Sequence, residues 1–82
     1  MTFYDHTLTA RRLAIRYAVG GQQHCATVLA SGHSLEEHVD RLEALGKSSG
    51  LTGGLTYVSW PLAEGGAVAI RLDSIVALEA IA

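Results

Sequence analysis

The chain has 82 residues, carries a net charge of −2, and is 49% apolar but only 17% charged. That length makes a single domain, residues 1–82, which buries only roughly 60–65% of the surface its unfolded form exposes. The mild acidity gives no drive toward nucleic acid, and no apolar run approaches the roughly 18–20 residues that span a bilayer.

The opening residues, Met1 to Arg12, hold no apolar secretory segment, so the expected setting is cytoplasmic, with no membrane partner. Residues 11–19 then alternate. Leu13, Ile15, Tyr17 and Val19 share one face; Arg12, Arg16 and two alanines share the other. Gly20-Gly21 supplies a tight hairpin turn. The return strand covers residues 23–30, with Cys25, Thr27 and Leu29 on one face and His24, Ala26, Val28 and Ala30 on the other.

Residues 33–47 read as a helix. Ser34 and Glu37 form an S-x-x-E capping box, in which each side chain satisfies an amide that the helix start leaves unpaired. Leu35, Val39, Leu42 and Leu45 recur at helical spacing, and Gly46 suits the left-handed position past a helix end. Residues 47–54, rich in Gly, Ser and Thr, are expected to form a flexible loop. A third strand is expected over 55–60, ended by Pro61, and a fourth over 67–72. Segment 74–81 suits either a fifth strand or a short helix, and strand is preferred. The expected fold is α+β: hairpin, helix, hairpin and terminal element, with one helix on one face of a single, mainly antiparallel sheet of four or five strands.

A single helix cannot cover both faces of such a sheet. The charged fraction is below the roughly 25% usual for globular domains. The bare face is therefore expected to be covered by a second copy, making the protein a homodimer.

No catalytic motif stands out. Gly46-Lys47-Ser48 is not a phosphate loop, because Arg41 occupies the position where that motif needs glycine and the segment leaves a helix instead of entering one. His24 and Cys25 are adjacent on a strand and point to opposite faces, so they do not share a metal site. His33 and His38 occupy the two positions of a staple contact at the helix start. Glu36, Glu37, Asp40 and Glu43 lie on the polar face of the helix. No metal and no cofactor are expected.

The preferred functional reading is a small, non-enzymatic, oligomeric binding module, an adaptor, inhibitor or regulatory accessory that meets another protein. Its expected contact residues are Trp60, Lys47, Leu51, Arg12 and Arg16, because a tryptophan beside a mobile loop makes a good hot spot. The alternative is a small-molecule or metal-binding protein, or a small enzyme with a histidine-containing interface pocket, that uses His33 and His38 with a neighbouring carboxylate.

Overall fold

A computed structural model describes residues 11–52 and 56–81; in 49–52 it describes the backbone alone. The elements are β1 (Arg12–Val19), β2 (Gln22–Leu29), α1 (Leu35–Thr52), β3 (Tyr57–Pro61), β4 (Ala67–Arg71), a 3-10 turn (Leu72–Ser74) and β5 (Ile75–Ile81). The fold class is α+β, as its hairpin and helix periodicities predict.

The strands do not form one sheet. β2, β1 and β5 make a three-stranded antiparallel sheet in that order, and β3 and β4 make a separate two-stranded hairpin. The last segment is a strand, and it takes the free edge of β1. Among the described residues the main-chain link between the β3–β4 hairpin and the larger sheet is made by the hairpin loop. Leu62 bridges Val28, and the Ala63 amide donates to the Thr27 carbonyl at 3.0 Å.

The alternation read in β1 and β2 holds. Leu13 and Ile15 of β1 and Ala26 and Val28 of β2 point inward and are buried. Val58, Trp60 and Ile70 of the hairpin close on them, and Leu35, Leu42 and Leu45 of the helix pack against the same cluster. The core thus has three walls: the inner face of the sheet, the helix and the hairpin. Arg12, Ala14 and Arg16 lie on the outer face of the sheet, in register with Leu29, Thr27 and Cys25 of β2. Among the described residues the outer face has no helix over it.

The helix end differs from the sequence expectation. Gly46 does not terminate the helix, which continues to Thr52. Among the described residues positive φ is found at five glycines in the turns, but not at Gly46. Leu42 and Leu45 anchor the helix just before this point, and a glycine flanked by intact helical hydrogen bonds costs only about 1 kcal/mol relative to alanine. The loop expected over 47–54 is therefore helical through 52, and its remainder lies outside the described residues. Strand β3 also differs at its end, where Pro61 is paired with Ala67. Proline tolerates such a place at the last rung of an edge strand.

Candidate functional site

Two regions gather the residues that can meet another molecule. The first is the start of α1. The capping box is formed: the Ser34 amide donates to Glu37 Oε1 at 2.8 Å, and the Glu37 amide donates to Ser34 Oγ at 3.2 Å. The hydrogen bond from the Ser34 backbone lowers the Glu37 pKa from its ordinary value. The staple forms as well, with the His33 and His38 rings edge to face and their centroids 5.8 Å apart.

His38 is buried, and its Nε2 lies 2.9 Å from the Ala30 carbonyl oxygen. His33 is exposed, with Nδ1 3.7 Å from Glu37 Oε1. An open pocket collects His33, Glu37, His38, Asp40 and Arg41. The structure thus brings the two candidate histidines together beside a carboxylate. One of them is held by a main-chain bond, and the other lies beside the carboxylate that caps the helix. Among the described residues no three His, Cys, Asp or Glu side chains are grouped to hold a metal ion.

Trp60 is not on the surface. It is 2% exposed, lies against His38 with ring centroids 5.4 Å apart, and has the Arg41 guanidinium carbon 5.8 Å from its ring centroid. The expectation of Trp60 as an accessible contact residue is therefore corrected. In β3 the alternation points Val58 and Trp60 into the core and Tyr57 outward. Lys47 is exposed on the last part of the helix, whereas the Leu51 side chain lies outside the described residues. Arg12 and Arg16 are exposed on the outer face of the sheet. Arg16 Nε donates to Glu79 Oε1 of β5 at 2.9 Å, and this bond raises the Arg16 pKa.

The second region was not legible in the sequence. Five large apolar side chains are exposed among the described residues: Val19, Leu29, Val39, Tyr57 and Val76. Four of them border the beginning of β5. Val19, Tyr57 and Val76 line one groove, between the end of β1, the hairpin and the 3-10 turn. Val39 and Val76 line a second groove, between α1 and β5. Val76 is shared by both.

The local cause is a break in pairing. β1 pairs with β2 as far as Val19, but β5 begins opposite Tyr17, and the register shifts between Arg16 and Tyr17. Val19 overhangs the start of β5, and Val76 is the extra residue of a β-bulge. The ion pair of Arg71 and Asp73, 2.5 Å at Nη2 to Oδ2, fixes the turn that leads into this bulge. Its hydrogen bond lowers the Asp73 pKa and raises that of Arg71. No helix among the described residues is long and apolar enough to cross a membrane. No protein-family model, curated protein or solved structure matches the chain.

Proposed function

We propose that this domain is a small, self-associating binding module that acts in the cytoplasm through protein–protein contacts, as an adaptor, inhibitor or regulatory accessory. One observation carries the reading: of the five large apolar side chains exposed among the described residues, four, Val19, Tyr57, Val76 and Val39, gather around the start of β5. Grouped apolar side chains at grooves mark interaction sites more than scattered ones do. An exposed tyrosine in the first groove offers a rigid, amphipathic anchor. Arg12 and Arg16 supply polar contacts on the adjoining outer face, and Lys47 extends the surface along the helix.

The test is affinity capture with the wild-type protein and with Tyr57→Lys, a substitution at a side chain 63% exposed that leaves the core intact. Proteins held by the wild type and lost by the variant fit the reading. A captured set that is the same for both variants removes this surface from it.

A second reading has one specific observation in its favour, the shared pocket of His33, Glu37, His38, Asp40 and Arg41. It makes the domain a binder of a small molecule or a metal ion. Histidine ring resonances followed by NMR during titration with zinc or inorganic phosphate separate the two readings. Saturable shifts at both rings favour the pocket.

A further inference from the structure

We propose that the outer edge of β5 is the self-association surface, where β5 of a second copy adds antiparallel about a two-fold axis at Leu78. This rests on the reading of the domain as a self-associating module, and names the surface and the partner.

The two edges of the larger sheet are unlike. At the β2 edge, Thr27 and Val28 are already engaged by Ala63 and Leu62 of the hairpin loop. The first half of that edge carries Gln22, Gln23, His24 and Cys25, all exposed. The β5 edge has no pairing among the described residues. Its seven residues, Ile75–Ile81, include one charge, Glu79, and no lysine or proline. Protected edges usually carry such residues, or are covered, because a bare row of amides and carbonyls is a template for another strand. Past the bulge at Val76, the regular stretch from Ala77 to Ile81 offers about 17 Å of such edge.

The register follows from faces and charge. Opposed residues in a continuous antiparallel sheet lie on the same face. In β5, Leu78 and Ala80 lie in register with Ile15 and Leu13, on the inner face, and Ala77 and Glu79 with Arg16 and Ala14, on the outer face. A two-fold centred on Glu79 satisfies the faces but sets two carboxylates directly opposite each other, which destabilises the pair. A two-fold centred on Leu78 satisfies them from Ala77 to Glu79 and sets Glu79 opposite Ala77 of the second copy; the bulge at Val76 leaves Ile75 and Val76 outside this regular pairing. Each Glu79 keeps its bond to Arg16 of its own chain.

A two-fold that relates antiparallel neighbours stands normal to the sheet, so both helices fall on the same side. The groove at this edge, lined by Val39, Leu42, Ile75 and Val76, then faces its counterpart across the axis. One arrangement thus supplies partners for the bare main chain of β5 and cover for the exposed Val39 and Val76.

The test uses the whole chain with Cys25→Ser, since Cys25 is exposed. Ala77→Cys and Glu79→Cys variants are oxidised separately and as an equal mixture. A disulfide-linked dimer formed only in the mixture is expected, because each cysteine faces the other type across the axis. Crosslinking of Ala77→Cys with itself, in chains that keep both Glu79 carboxylates, places the axis at residue 77 and overturns the proposed register. No crosslink in any sample overturns the edge pairing.

Sedimentation provides the second arm. The unmodified protein should sediment at twice 8.7 kDa at micromolar concentration. Val76→Lys, at a side chain 57% exposed, should weaken the dimer by roughly tenfold or more while leaving the circular dichroism unchanged. A dimer that ignores Val76→Lys and never forms the mixed disulfide leaves self-association standing and the β5 edge refuted. A monomer at every concentration refutes both.

Discussion

The Ala30 carbonyl accepts two hydrogen bonds, one from the His38 ring at 2.9 Å and one from the His33 amide at 3.2 Å. A carbonyl oxygen cannot donate, so the His38 proton on this bond sits on Nε2. The end of β2 is thereby tied to the first turn of α1, and the ring is held against Trp60. This is why His38, a polar residue, lies in the core: its one long-range polar bond is made to the main chain where the chain leaves the sheet.

His38→Phe keeps a ring of similar shape and removes the donor. The carbonyl keeps its bond from His33, so the loss should be modest, about 0.5–1.5 kcal/mol. Urea melts measure it, and nitrogen-15 shifts of the wild-type ring should report the Nε2–H tautomer. A variant as stable as the wild type, or a ring protonated on Nδ1 alone, contradicts the role given to this bond.

Trp60 fills the space between the hairpin and the helix and is among the largest fully buried side chains. Its emission in the free protein should already be blue. Trp60→Ala should cost roughly 3–5 kcal/mol, enough to unfold much of a small domain. Trp60→Phe should cost less, because it retains most of the packing and removes an indole N–H that has no hydrogen-bond partner among the described residues. Water-exposed emission from the folded protein refutes the core placement.

The cap at the start of α1 gives an acid-dependent signal. Glu37 has a lowered pKa in the folded protein, chiefly through the Ser34 amide, so its carboxylate form is favoured by folding. The stabilisation is present above the ordinary value of 4.5 and is lost as pH falls through the lower folded value. Glu37→Gln should therefore flatten the fall in stability below pH 4.5 without moving stability changes above pH 6. Ser34→Ala, which strands the Glu37 amide, should cost about 1 kcal/mol at neutral pH. Denaturant melts across the pH range check both. An acid limb that is the same with and without Glu37 removes the cap as its source.

Local patterns in the sequence gave the strands, the helix start and the histidine staple, because each depends on residues within a few positions of one another. Long-range choices were not legible. Whether β5 or the second hairpin pairs with β1 depends on a competition between edges that no local spacing records. The outward turn of Tyr57 and the inward turn of Trp60 follow from which face of the hairpin meets the core. The exposed group around Val76 arises from a bulge, and a bulge shifts the alternation by one residue without marking the sequence. The two alternative candidates, His33 and His38, were found because they belong to a local motif. The groove residues Val19, Val39, Tyr57 and Val76 belong to none.

Gly46 separates the two descriptions of the helix most directly. As a left-handed residue past the helix end, it would resist any side chain, and Gly46→Ala would destabilise the protein. In the structure Gly46 lies within α1, its φ is not positive, and a methyl group there would meet nothing within 4 Å. Alanine loses less backbone freedom on folding than glycine does. Gly46→Ala should thus stabilise the protein by roughly 0.5–1 kcal/mol and leave its helical circular dichroism at least as strong. Thermal and urea melts decide the sign. A destabilised variant with less helix would place the helix end at Gly46 and return residues 47–52 to a loop. A stabilised one fixes the helix as a single rod from Leu35 to Thr52, which carries Val39 beside β5 and Lys47 on the exposed part beyond it.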